Sequence, residues 1–149
     1  MERVMVGRPL VAASAAGEAL VSTEPLSFWG GFDYRTGTII DARHPLKGEC
    51  VSGRILALPS SKGSSTATAV LLESVLAGTG PAAIVCRGPD PYFALASIVA
   101  DEMYGRPFPV IGLQEEDFAD LRSGEWLIVG QDGRIVVWPR PPRLRRCAG

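Results

Sequence analysis

The residues of this chain best suited to chemistry are grouped between positions 59 and 66. Five of these eight residues carry a hydroxyl group: Ser60, Ser61, Ser64, Ser65 and Thr66. Lys62 adds a cation, and Gly63 lets the backbone approach a ligand closely. A serine hydroxyl can attack an electrophile or transfer a proton, and a helix N-terminus binds carboxylate or phosphate. We call residues 59–66 the serine loop and treat it as the candidate site.

Several explanations of the serine loop compete. Helix capping is the simplest, because Ser64 or Ser65 has the residue type preferred at an N-cap, but it accounts for only one hydroxyl. A P-loop is excluded, because G-x-x-x-x-G-K-[ST] is absent and Lys62 precedes Gly63. A hydrolase nucleophile lacks G-x-S-x-G and would depend on His44, the only histidine. Proton transfer by a serine would require an electrophile supplied by a partner.

The elements on either side of the serine loop follow from the hydrophobic pattern. Residues 54–58 form a short apolar run typical of a buried strand. A helix is predicted from Thr66 to Leu76, ended by Gly78 and Gly80. Its apolar residues at helical spacing are Ala69, Leu72, Val75 and Leu76.

The pattern of strand and helix then repeats. A second buried strand is expected at residues 82–86, and Asp90 is placed to cap a helix that begins at Pro91. This helix is predicted to reach about Tyr104, and its apolar face is predicted to contain Leu95, Ile98, Val99 and Met103. A third strand at Val110-Ile111 follows. Strands joined by helices predict a parallel sheet, with ligands at the carboxyl ends of its strands.

The remaining segments add β structure to this core. Short strands are predicted at residues 4–6, 19–21 and 38–40, and Asp132-Gly133 predicts a hairpin between two apolar runs. A short acidic helix is expected at residues 114–121. The fold class is therefore α/β, with a central parallel βαβαβ portion and additional short strands. Residues 1–138 are expected to form one domain, and residues 139–149 a Pro- and Arg-rich tail that is mobile.

Composition narrows the classes of partner. The chain has 149 residues, a formal net charge of −1 and 46% hydrophobic residues. This balance does not favour nucleic acid or a membrane surface, and no apolar run approaches the ~20 residues that cross a bilayer. No signal peptide is predicted, so a cytoplasmic location is expected. Cys50, Cys86 and Cys147 are far apart in sequence, so no metal site is predicted in this chain, and Cys86 is expected in the core.

An ordered set of short motifs resembles the small, swivelling subunit of aconitase X. The resemblance runs from about Gly7 to Val137. Its motifs are residues 25–31, Thr36-Gly37, Ile40-Asp41, His44-Pro45-Leu46, Gly48-Glu49, Leu58-Pro59, residues 63–66, residues 82–85 and residues 106–110. The resemblance implies a swivelling β/β/α domain within a dehydratase. It also implies a large subunit that carries an iron–sulfur cluster or metal ion, with no cofactor bound by this chain alone.

The resemblance also assigns roles to residues. In the wider aconitase superfamily a Gly-Ser-Ser-Arg loop supplies a serine base, and Gly63-Ser64-Ser65 matches it, so Ser64 is the implied catalytic residue. Residues implied to bind substrate are Gly63, Ser65, Thr66, Trp29, Gly30 and Gly31. Possible supporting residues are Lys62, His44 and Asp33. Thr66 stands where ordinary aconitases have Arg, which argues against substrates with a second carboxylate such as citrate.

The implied reaction is the loss of water from a small carboxylate. Two substrates are associated with aconitase X proteins, cis-3-hydroxy-L-proline and phosphomevalonate, and the Arg-rich, Lys-poor composition favours the first. Two alternatives stay open. A swivelling domain can carry a phosphoryl group on histidine, which would have to be His44, or it can be a non-catalytic binding domain.

Overall fold

A computed structural model of the chain describes residues 2–62 and 66–139. The strands are β1 (Arg3–Val6), β2 (Arg8–Val11), β3 (Ala15–Val21), β4 (Phe32–Asp33), β5 (Thr38–Ile39), β6 (Ile55–Leu58), β7 (Ala83–Arg87), β8 (Val110–Leu113), β9 (Trp126–Val129) and β10 (Arg134–Trp138). The helices are α1 (Phe28–Gly31), α2 (Thr66–Ala77), α3 (Pro91–Tyr104) and α4 (Glu115–Ala119). The predicted tail from position 140 onward lies outside the described residues.

Eight strands form one sheet in the order β1-β10-β9-β3-β6-β7-β8-β2. Strands β3, β6, β7 and β8 are parallel neighbours, so their carboxyl ends lie at one edge of the sheet. The other neighbours pair antiparallel. The predicted parallel βαβαβ core is confirmed. The other predicted strands belong to that same sheet, except for the one predicted at residues 38–40. This strand is β5, which pairs with β4 in a separate two-stranded sheet.

Two hydrophobic clusters on opposite faces of the parallel strands make three layers. On one face, residues of β6 and β7 such as Leu56 and Ile84 pack with Leu71 of α2 and Phe93 of α3. On the other face, the alternate residues of β6 and β7 pack with apolar residues of β9 and β10: Leu127, Val129, Ile135 and Val137. The antiparallel half of the sheet therefore covers the parallel half. This arrangement is the β/β/α architecture that the motifs implied.

The central strands β6 and β7 are buried on both sides. All four residues of β6 are buried, as are the first four of β7. Strands covered on both faces are continuously apolar, which is why their sequence shows a run without alternation. The hairpin of β9 and β10 is also as predicted, and Gly133 takes the positive φ of 86° that its turn requires.

The predicted buried faces of α2 and α3 are wrong. The buried residues are Ala67, Thr68, Leu71 and Ser74 in α2, and Phe93, Ala96, Ser97 and Ala100 in α3. Of the large aliphatic side chains predicted to face the core, Leu76, Leu95, Ile98 and Met103 are exposed, with Leu76 54% and Met103 61% accessible. Leu72, Val75 and Val99 are half-buried. The physical reason is close approach, because small residues let the helices approach the sheet while the strands supply the bulk. The buried hydroxyls are satisfied by hydrogen bonds to backbone carbonyls.

None of the helices within residues 2–62 and 66–139 is both long enough and apolar enough to cross a bilayer.

Candidate functional site

The serine loop joins the parallel core at its carboxyl edge. It leaves β6 at Pro59, and Thr66 begins α2, as the sequence predicted. Residues 63–65 of the loop lie outside the described residues, so the roles implied for Gly63, Ser64 and Ser65 stay predictions. Ser60 and Lys62 are exposed, whereas Ser61 is half-buried. What the structure defines is how both flanks of this segment are held.

Asp90 holds the first flank. Its carboxylate oxygen Oδ2 accepts hydrogen bonds from the backbone N–H of Ser61 at 2.7 Å and from the Ser61 hydroxyl at 2.8 Å. Its other oxygen, Oδ1, accepts from the N–H groups of Tyr92 and Phe93 at the start of α3. Asp90 is only 5% exposed. The sequence predicted Asp90 as a helix cap, and this is confirmed, but its link to Ser61 was not predicted.

The segment before α1 runs along the other side of the loop. Leu26 and Ser61 form an isolated parallel bridge, and the Lys62 N–H donates to the Leu26 carbonyl at 3.3 Å. Leu26 itself is fully buried. Ser61 is therefore fixed between two different segments, Leu26 on one side and Asp90 on the other.

The second flank of the loop is tied to the same end of α3. In the first turn of α2, the Thr68 hydroxyl donates to the Tyr92 carbonyl at 3.1 Å. Thr68 is buried, so this bond is shielded from water. The backbone at Pro59 is also held, because its carbonyl accepts from the Arg87 N–H at 3.3 Å. The loop is thus attached to the β7–α3 connection on both sides of residues 63–65.

Residues 29–31, implied to bind substrate, lie close to this arrangement. They belong to α1, an irregular turn that packs against α2. Trp29 is 72% exposed, and Gly30 has a positive φ of 79° with open space around it. Gly31 is buried, and its carbonyl accepts from the N–H groups of Ile40 and Asp41. Trp29 is therefore free to meet a ligand or partner, whereas Gly31 holds the backbone together.

Contacts between aromatic side chains fix the position of α1. The Phe28 ring makes edge-to-face contacts with Phe32 and Phe93, with centroids 5.4 Å and 5.9 Å apart. Phe28 is almost fully buried, so it anchors the turn while the next side chain points outward. Two aromatics beside a glycine pair are typical of a backbone held close to another loop or a ligand. The neighbour that the structure gives this turn is α2.

The two polar residues implied as supporting, His44 and Asp33, have local contacts. His44 is buried, and its Nδ1 accepts from the Leu46 N–H, so its Nε2 carries the proton toward Ser22 and Glu24. Asp33 Oδ1 accepts from the Arg35 N–H within a turn. Both therefore shape the loops on which they lie.

Cys86 is a core residue, as predicted. It is fully buried at the end of β7, and its Sγ lies 3.6 Å from the Ile111 carbonyl. Burial, followed by the negative charge of Asp90, raises the pKa of the Cys86 thiol from 9.0 to about 12. The thiol is protonated at neutral pH and is not a nucleophile. In the described parts of the chain, no three His, Cys, Asp or Glu side chains converge as metal ligands would.

A cavity of about 540 Å³ lies at the same edge, at the ends of β7 and β8. Arg8 and Arg87 line it together with Gly88, Gly112 and the start of α4. Sequence reasoning did not identify it, because Arg8 and Arg87 are 79 positions apart and meet only through the pairing of β2 with β8. The backbone bond from Arg87 to Pro59 makes this cavity a neighbour of the serine loop.

Comparison with known proteins agrees with this architecture. Residues 4–137 match the family described as the aconitase X swivel domain. The chain belongs to the aconitase X swivel-domain family. The match covers every strand from β2 to β9 and the whole serine loop, so the aconitase X resemblance stated from the sequence is confirmed.

Individual relatives carry two kinds of name. The chain is 47% identical over 142 residues to cis-3-hydroxy-L-proline dehydratase from Pseudomonas aeruginosa, and this match covers 95% of the chain but 24% of that protein. It is 43% identical over 102 residues to the phosphomevalonate dehydratase small subunit of Methanothermobacter thermautotrophicus, covering 67% of the chain and 78% of that subunit. The chain therefore spans about a quarter of the length of the Pseudomonas relative.

A solved structure has the same fold as this aconitase X swivel domain. The crystal structure of Thermococcus kodakaraensis aconitase X in its holo-form superposes with a TM-score of 0.80 at 30% identity. The match covers 91% of this chain and 98% of the Thermococcus chain. The β/β/α architecture is therefore that of an aconitase X swivel domain.

Proposed function

We propose that this chain is the swivelling small subunit of an aconitase X type dehydratase, a hydro-lyase that is active only together with a large subunit. The observation that carries the proposal is the family match over residues 4–137, which includes the serine loop. The relatives named as dehydratases support the reaction class. The active site would lie between the serine loop of this chain and the large subunit.

Ser64 is proposed as the base. In the dehydration of a β-hydroxy carboxylate, its deprotonated oxygen takes the proton α to the carboxylate, and the C–H electron pair forms the new C=C bond. The C–O bond breaks and releases hydroxide, so the proton taken up and the hydroxide released together amount to one water. The N-terminus of α2 provides a positive dipole end, which favours the charged form of a serine oxygen and holds a substrate carboxylate. Ser65, Gly63 and Thr66 are proposed to bind that carboxylate.

The remaining chemistry would come from the large subunit. An iron–sulfur cluster or metal ion held there would supply a Lewis acid for the departing hydroxyl. In this chain, Trp29 and Gly30 are proposed to border the substrate, since Trp29 is exposed close to α2. Lys62 is an exposed residue of the serine loop and is proposed to add positive charge near an anionic substrate.

The substrate is proposed to be cis-3-hydroxy-L-proline, the compound in the name of the relative at 47% identity. Its dehydration would give an unsaturated ring carboxylate that tautomerises to an imine. Phosphomevalonate is the second candidate, because relatives named for it reach 43% identity. Assaying the assembled enzyme with both compounds separates the two.

The decisive experiment replaces Ser64 in the assembled enzyme, meaning this chain together with its large subunit. Because a general base contributes on the order of 10²–10⁴-fold, Ser64→Ala should lower kcat by that amount. Assembly, measured by size-exclusion chromatography, should be unchanged. Ser60→Ala is the matched control, since Ser60 is an exposed hydroxyl of the same loop, and it should keep full activity.

Other outcomes would redirect the assignment. Full activity of Ser64→Ala would remove the serine from the mechanism. Activity of this chain without the large subunit would contradict the two-subunit proposal. Acid-labile phosphate on His44 would favour a phosphoryl carrier, although both nitrogens of that buried ring already have hydrogen-bond partners. An assembled enzyme without dehydratase activity on either compound would favour a non-catalytic binding domain.

A further inference from the structure

We propose that Asp90 is a positioning residue of the dehydratase: through Ser61 it fixes the path by which the chain enters the segment that carries Ser64. The inference rests on the proposed function, because it assumes that Ser64 acts in the reaction. Its geometric basis does not depend on that assumption. It comes from the contacts at the start of α3.

The Asp90 carboxylate makes more hydrogen bonds than a helix cap requires. Capping α3 uses Oδ1 alone, which accepts from Tyr92 and Phe93. Asn or Ser at this position would cap about equally well. The second oxygen, Oδ2, is used entirely by Ser61, which donates both its backbone N–H and its hydroxyl. A buried group with four such donors around it needs the acceptor-only chemistry of a carboxylate.

The same turn of α3 also holds the chain beyond residues 63–65. Thr68, two residues into α2, donates its hydroxyl to the Tyr92 carbonyl. Asp90 and Tyr92 therefore bind the chain before and after residues 63–65. The N-terminal turn of α3 acts as a template that sets the separation and direction of the two flanks.

Burial makes this template rigid. Asp90 is 5% exposed and Thr68 8% exposed, so water cannot easily replace either contact. Ser61 is restrained on its opposite side by the bridge to Leu26. Removal of the Asp90 contact would leave Ser61 held from one side only. A catalytic group displaced by about 1 Å can lose on the order of 10²-fold in rate.

The test uses Asp90→Asn in the assembled enzyme. The amide oxygen of Asn can still cap α3, but its NH₂ group would face the Ser61 N–H, placing one donor against another. We expect kcat to fall on the order of 10²-fold with KM changed less than about threefold. Hydrogen exchange of the Ser61 amide should become faster. A folded Asp90→Asn enzyme with wild-type kcat would overturn the proposal.

A second variant shows whether Asp90 acts through Ser61 and covers the case in which Asp90→Asn does not fold. Ser61→Ala removes the hydroxyl bond and keeps the N–H bond, so kcat should fall on the order of tenfold. In the double variant the two effects should not add. Wild-type kcat in Ser61→Ala, or additive effects in the double variant, would contradict the coupling.

Glu125→Gln is the matched control. Glu125 is another buried carboxylate, 8% exposed, that accepts hydrogen bonds from Arg3 and from the Arg122 N–H. Glu125→Gln should leave kcat and the hydrogen-exchange rate of the Ser61 amide unchanged. Ser64→Ala separates the two proposals. If Ser64→Ala keeps full activity, the proposed function fails; if it is inactive while Asp90→Asn is fully active, only the role of Asp90 fails.

Discussion

Two strand-to-helix connections at one edge of the sheet differ in what holds them. The β7–α3 connection caps its own helix with Asp90, which is buried. The β6–α2 connection is the serine loop, with exposed Ser60 and Lys62. One of its described flanks is held by the Asp90 side chain, and the other by its own Thr68 hydroxyl on the Tyr92 carbonyl. Under the two proposals made above, the serine loop carries the reactive groups and the β7–α3 connection positions them.

The largest predicted loss of stability comes from removing a buried hydroxyl group of α3, away from the serine loop. Ser97 of α3 is fully buried, and its hydroxyl donates to the Phe108 carbonyl at 2.6 Å while accepting from the Phe108 N–H at 2.8 Å. Ser97→Ala leaves both backbone groups without a partner. We expect the free energy of unfolding to fall by about 3 kcal/mol, measured by urea denaturation, with kcat unchanged in the folded enzyme.

The control for Ser97→Ala is Ser123→Ala. The Ser123 hydroxyl accepts from the Val21 N–H, but Ser123 is exposed, so water can replace it. Ser123→Ala should lower the free energy of unfolding by less than about 0.5 kcal/mol. If Ser97→Ala instead lowered kcat as strongly as Ser64→Ala, it would be wrong to assign catalysis to the serine loop and a structural role to the rest of α3.

The buried thiol of Cys86 makes the free energy of unfolding depend on pH. Its pKa is raised to about 12 in the folded protein, so between pH 9 and pH 12 the unfolded state loses a proton that the folded state keeps. Stability from this group is complete below pH 9 and is lost as pH rises, by about 1.4 kcal/mol per unit. Cys86→Ala should show a correspondingly shallower decline in alkaline urea denaturation. Equal slopes for the two proteins would contradict a buried, protonated thiol.

The smallest predicted effect is that of a substitution at Gly30, close to the serine loop. Gly30 has a φ of 79° and open space around it, so Gly30→Ala meets no steric clash but costs about 1 kcal/mol of backbone strain. We expect a lower unfolding free energy and, because the turn packs near α2, a few-fold lower kcat. Gly48→Ala is the control, since Gly48 has a φ of 86° and equally open surroundings. It should lose the same stability and keep its activity.

Much of the scaffold could be predicted from local sequence. Asp90 before Pro91, and Gly105 at the end of α3, are local signals that marked both ends of the helix, and Gly105 does take the left-handed conformation. The apolar run of β6 needed no partner to be recognised. The faces of α2 and α3 could not be predicted in this way, because close packing of small residues, not the largest apolar stripe, decided which side is buried.

By itself, the sequence determined the parallel core, the position of the serine loop between β6 and α2, and the family to which the chain belongs. Tertiary structure decided how that loop is held. Ser61 and Asp90 are 29 residues apart, and Leu26 meets Ser61 from a third segment. No local pattern encodes these contacts, since they exist only after parallel strands have brought their carboxyl ends to one edge.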